Sequence, residues 1–125
     1  EGGGMSDAVS HPAHYTRHAS GVECIEVTRW LSFNRGNAFK YLFRHRDKGA
    51  ALQDLQKALW YVQDEIVHGD RFAASVRATV PARKIADATS DGGEAGCYLL
   101  IAGGSKNDLR TVAAWLRAKI RSMSP

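Results

Sequence analysis

Apolar positions recur at helical spacing along most of this chain. Leu52, Leu55, Leu59, Val62 and Ile66 stand three and four residues apart, which predicts a long amphipathic helix from Ala50 or Ala51 to about His68-Gly69. Upstream, Phe39, Leu42 and Phe43 share one side of a shorter helix within Asn34 to Gly49, with Gly49 as its stop. Val22, Cys24, Ile25, Val27 and Leu31 give a broad apolar face to a helix within Gly21–Ser32, capped by Ser20 or Gly21. Short connections between these three make them antiparallel neighbours in a small bundle.

The second half is less regular. Phe72, Val76 and Val80 fit a helix within Asp70–Val80 that Pro81 should end, and Arg83–Ala88 stays ambiguous. Thr89–Gly96 is rich in Gly and Asp and predicts a flexible loop. The apolar run Cys97–Ala102 predicts a short strand. Gly103-Gly104-Ser105 then turns into a last helix, capped by Ser105 or Asn107, with Leu109, Val112, Ala113, Leu116 and Ile120 inward. The expected fold is mainly α: a small antiparallel helical bundle with a C-terminal strand–helix appendage. The expected divisions begin with a flexible N-terminus over 1–10, in which Glu1-Gly2-Gly3-Gly4 before Met5 reads as a cloning scar. A helical domain over 11–69 and an extension over 70–125 packing on it follow.

Composition narrows the classes. The chain has 125 residues, 44% of them hydrophobic, which suits one domain with a core. The longest purely apolar block, Tyr98–Ala102, is far too short to span a bilayer, and no charged-then-apolar leader is seen. Cys24 and Cys97 have no metal-ligand spacing and read as reduced thiols in a cytoplasm. A formal charge of +4 with a pI near 9.3 favours anionic partners but is too mild to demand nucleic acid.

That charge is concentrated. Within 34–49, Arg35, Lys40, Arg44, Arg46 and Lys48 against Asp47 leave +4, equal to the charge of the whole chain. Asn37, Lys40 and Arg44 lie at i, i+3 and i+7, on one polar face. Such a face suits phosphate, which Arg binds bidentately and Lys as a point charge. Periodicity alone slightly favours a solvated helix face. A second basic line, Lys106, Arg110, Arg117 and Arg121, marks the last helix. Gly103-Gly104 before a helix start could cradle phosphate, but neither nucleotide-loop glycine pattern is present. His11, His14 and His18 lie on an N-terminal arm kept extended by Pro12, without a local cysteine or carboxylate to complete a metal set. Glu23 and Glu26 could hold Mg²⁺ or be exposed.

Five blocks then align with one pattern: His11-Pro12-Ala13-His14-Tyr15, Gly21-Val22-Glu23-Cys24-Ile25-Glu26, Gly36-Asn37-Ala38-Phe39-Lys40-Tyr41-Leu42-Phe43-Arg44, Lys48-Gly49, and Asp54-Leu55-Gln56-Lys57-Ala58-Leu59-Trp60-Tyr61. In this order they resemble the SaV-like family of small tailed-phage proteins, over about half of the chain. One relative, from a lytic coliphage, is described as a nucleoside monophosphate kinase without a P-loop, and another is tied to sensitivity to abortive infection. The resemblance implies a nucleotide site built from His11, His14, Tyr15, Asn37, Lys40, Arg44, Lys57 and Tyr61. Lys40 and Arg44 would neutralise phosphate, Asn37 would hydrogen-bond the ligand, and Tyr15 or Tyr61 would stack on the base.

The leading expectation is therefore a phage nucleotide-binding protein in the host cytoplasm that sequesters a host immune signalling nucleotide. The enzyme alternative is a kinase, or a pyrophosphate-cleaving bundle, with Mg²⁺ on Glu23, Glu26 or Asp54. The third is a module that inhibits a host defence protein. No membrane partner is expected, broad nucleic-acid binding is the weaker reading, and exposed Trp and Tyr positions favour a homo-oligomer.

Overall fold

The computed structural model describes residues 18–47 and 49–124. Among these residues six helices follow in order: α1 (Ile25–Thr28), α2 (Phe33–Arg44), α3 (Ala51–His68), α4 (Val76–Asp87), α5 (Gly92–Gly103) and α6 (Lys106–Met123). The protein is a mainly α bundle, and among the described residues no strand forms.

Local chemistry sets most boundaries. Ser32 accepts from the backbone N–H of Arg35 and opens α2. That leaves only one turn, α1, of the helix expected over 21–32, because Ser32 starts the next element instead of ending the previous one. Ser105 and Asp108 form a reciprocal capping box at the start of α6. The Asp108 carboxylate thus occupies the helix start where Gly103-Gly104 had suggested a phosphate cradle.

α3 packs along both α2 and α6, α5 along α4, α6 and α2, and α1 against α4 and α2. One core runs through all of them, from Val22 and Val27 through Phe39, Leu42, Leu55 and Val62 to Ile85, Tyr98, Ile101, Leu109 and Leu116. The stripes read for α3 and α6 face this core, with Leu59, Ile66 and Ile120 at its margin.

Two expectations are corrected. Pro81 lies inside α4, which continues to Asp87. Proline removes one intrahelical bond, the one its N–H would give to the Arg77 carbonyl. Ala78, Ala82, Ile85 and Ala86, all buried on one side, hold the helix across that gap. The strand expected over Cys97–Ala102 is the second half of α5, and the expected loop contains its start. Asp91 caps α5 by accepting from the Glu94 N–H. The appendage is therefore helix on helix. A helix enclosed by neighbours shows no polar stripe, so its apolar run resembles a buried strand.

Candidate functional site

The polar faces of α2 and α3 meet around one aromatic ring. Tyr41 has the Lys40 Nζ 4.5 Å from its ring centroid, the Lys57 Nζ 5.2 Å away and the Arg44 guanidinium carbon 5.8 Å away. All three lie within the reach of cation–π attraction. Its ring also stacks on Tyr61, with planes 7° apart and centroids 6.0 Å apart. Tyr61 in turn meets Phe33 and Trp60 edge-on, at 5.8 and 5.2 Å. Phe33 and Trp60 are 74% and 59% exposed, so this aromatic run opens to solvent.

Helical geometry explains the convergence. Lys40, Tyr41 and Arg44 sit on adjacent turns of α2, and Lys57 and Tyr61 are i, i+4 on α3. Packing of α2 along α3 brings the two sets together. Arg44 Nε lies 3.7 Å from the Asp54 carboxylate, beyond hydrogen-bond distance, and is itself buried with no hydrogen-bond partner. Among the described residues no ion pair joins Lys40 or Lys57 to a carboxylate. Three cations thus share one ring, and among the described residues only Arg44 has a carboxylate within 4 Å.

Of the expected site residues, Lys40, Arg44, Lys57 and Tyr61 are brought together. Asn37 donates its Nδ2–H to the Phe33 carbonyl one turn back, at 2.8 Å. His11, His14 and Tyr15 lie outside the described residues. Tyr41, at the centre, is the residue that the motif reading missed. The signal for it is its place beside Lys40 and three residues before Arg44. Asp64, read as a solvated position, accepts from Asn34 Nδ2 at 3.0 Å.

The carboxylates considered for Mg²⁺ have other partners. Glu26 Oε2 accepts from the Glu23 backbone N–H at 2.8 Å, and Asp54 faces Arg44. Among the described residues no three His, Cys, Asp or Glu side chains form a metal-binding group. Burial pushes the thiols of Cys24 and Cys97 up to about 12, so both are inert near neutrality.

Two buried polar clusters brace the site from behind. Arg35, fully buried, donates from Nε to Glu65 at 3.3 Å and from one terminal nitrogen to the Ile101 carbonyl at 2.9 Å. It ties α2 and α3 to the last turn of α5, and the Phe72 ring covers its guanidinium at 3.6 Å. Burial lowers its pKa and Glu65 opposes that shift. Glu94, also buried, accepts from Arg46 at 2.9–3.1 Å and from the Tyr98 hydroxyl at 2.7 Å. The hydrogen bond to Glu94 raises the pKa of Arg46. Burial and the Glu94 charge push Tyr98 well above the usual tyrosine range. His45 directs Nδ1 at the Leu42 carbonyl, with Nε2 3.8 Å from Glu94. Neither Arg35 nor Arg46 joins the group around Tyr41, although both belonged to the basic segment read from the sequence.

Residues 9–63 match the family model DUF3310, described as a protein of unknown function. The matched span is less than half of the chain, yet it holds every residue of the Tyr41 group. No curated protein and no solved structure matches the chain. Among the described residues no helix is long and apolar enough to cross a membrane.

Proposed function

We propose that this chain is a tailed-phage protein that binds a small phosphorylated ligand, a nucleotide, on the cation-lined face around Tyr41. The observation that carries the reading is the convergence of Lys40, Arg44 and Lys57 on one ring, with a single carboxylate near them. Cations resting on an aromatic face are held only weakly, by about 0.5–1 kcal/mol each at an exposed site. A phosphate offers them charge-assisted hydrogen bonds, which are the stronger contact. The Arg44 side chain is 35% exposed, so the open part of its guanidinium can reach such an acceptor.

The aromatic run from Tyr41 through Tyr61 to exposed Trp60 gives the base a stacking surface next to those cations. Stacking is worth about 1–3 kcal/mol per base and tolerates different bases. The resemblance of residues 11–61 to SaV-like proteins supports a nucleotide and a phage setting, and it implies that His11, His14 and Tyr15 take part in binding. In this reading the protein sequesters a host signalling nucleotide in the host cytoplasm. Exposed Phe33 and Trp60 support self-association beside the site.

Calorimetric titration with mono-, di- and cyclic nucleotides, and with inorganic phosphate, tests this. One nucleotide class should bind, and Lys40→Ala, Arg44→Ala and Tyr41→Ala should each weaken it about tenfold or more, a loss of about 1.4 kcal/mol. Absence of binding by every nucleotide, or wild-type affinity in all three variants, would overturn the reading. Incubation with ATP, Mg²⁺ and each deoxynucleoside monophosphate separates binding from catalysis. Diphosphate formation would make the same face a kinase site, with transfer to a bound monophosphate.

A further inference from the structure

We propose that the groove between α1 and α4 docks an acidic, apolar-faced helix of another protein. The groove encloses about 560 Å³ and is lined by Arg29, Trp30, Arg77, Val80 and Lys84, with Glu26 at its edge. Trp30 and Val80 are 43% and 54% exposed, and Ile25 and Val76, on the same two helices, are also exposed. Of the large hydrophobic side chains exposed among the described residues, Trp30 and Val80 line this groove. An apolar patch of this kind, rimmed by charge, marks an interaction surface.

Charge chooses the occupant. Arg29, Arg77 and Lys84 face one carboxylate, Glu26, which already accepts from the Glu23 N–H. The Arg77 guanidinium rests 4.9 Å from the Trp30 ring centroid, so cation and apolar floor are interleaved. A ligand must then supply acidic groups and apolar side chains side by side, which an amphipathic helix does at spacings of three and four. A phosphate backbone lacks the apolar part. A second copy of this chain is a poor fit as well. The exposed line on α6 is basic, Arg110, Arg117 and Arg121, and two of the acidic side chains of α3, Asp54 and Glu65, are buried. This surface involves neither Tyr41 nor its cations, so it stands apart from the proposed nucleotide face.

Selection from a displayed library of random helical peptides, against the full chain, tests the proposal. Enriched peptides should carry Asp or Glu beside Leu, Ile or Phe at helical spacing. Their affinity should fall about tenfold or more in Arg77→Glu and in Val80→Glu, and should weaken with added salt. Both positions are exposed, and circular dichroism checks that each variant is folded. Enrichment of basic or unpatterned peptides, or equal binding by both variants, overturns the proposal. Association of the chain with itself that Val80→Glu abolishes would assign the groove to a second copy. Binding to anionic phosphatidylserine vesicles that both variants lose would assign it to a membrane surface. Either result overturns the proposal too.

Discussion

Tyr61 of α3 lies nearly parallel to Tyr41 of α2, at 7° with ring centroids 6.0 Å apart, and this pair is the seam on which three cations gather. The cations differ in what they leave behind. Lys40 and Lys57 touch the Tyr41 ring, and among the described residues neither pairs with a carboxylate. Replacing either by Ala should cost no more than about 0.5–1 kcal/mol, the worth of one cation–π contact at an exposed site. Arg44→Ala instead leaves buried Asp54 without its cation and should cost about 1–2 kcal/mol, below the full cost of a broken buried pair because Arg44 is partly exposed. Urea unfolding of the three variants measures this. Equal stability in all three would show that Asp54 does not depend on Arg44.

Glu94 should be the least replaceable carboxylate of the bundle. It takes two Arg46 nitrogens and the Tyr98 hydroxyl inside the core, and α2, the turn after it and α5 meet there. Glu94→Gln puts an amide donor among donors and should cost about 3 kcal/mol. Tyr98→Phe removes one hydrogen bond and should cost about 1 kcal/mol. Because both act on one network, the double variant should cost less than the sum. Additive losses in chemical denaturation would mean that the two contacts are independent.

Legibility followed periodicity. The bounds of α3 and the inward face of α6 could be read because each carries a clean apolar stripe and a recognisable start or stop. Lys40, Arg44, Lys57 and Tyr61, expected as ligand residues, lie together because motif spacing reflects helical faces. Tyr41 was not expected there: its place between Lys40 and Arg44 marks the residue, but its central position depends on α3 lying against α2. α5 failed for two physical reasons. It is enclosed by α2, α4 and α6, so it has no polar stripe, and three glycines over 92–96 imitate a loop. Asp91 three residues before Glu94 was the available signal for its start.

Those glycines yield a test of α5. A Cβ on Gly96 would meet nothing within 4 Å, so Gly96→Ala should stabilise the protein by about 0.5–1 kcal/mol through helix propensity alone. On Gly93 the same atom would stand 2.2 Å from Trp115 Nε1, which must move. Gly93→Ala should therefore destabilise by about 1–3 kcal/mol, the range for overpacking. Thermal unfolding distinguishes them. A flexible loop over these residues would instead leave both variants near the wild type.

His18 should give the fold a pH dependence on the acidic side of neutrality. Its ring stacks on Phe43 at 5.1 Å, and Nδ1 lies 2.8 Å from the Ser20 hydroxyl. It lines a cavity of about 230 Å³ with Arg46, Asp47 and Thr89. Desolvation lowers its pKa from 6.5, Arg46 adds to that, and Glu94 and Asp47 only partly oppose it. The folded protein therefore binds this proton less readily than the unfolded chain. The stabilising contribution is fully present above pH 6.5 and is lost as pH falls through the lower, folded value. His18→Phe keeps a ring on Phe43 but cannot titrate. Urea midpoints between about pH 5 and 7.5 should decline more steeply toward acid in the wild type than in this variant. Parallel profiles would show that His18 protonates as easily in the fold as out of it.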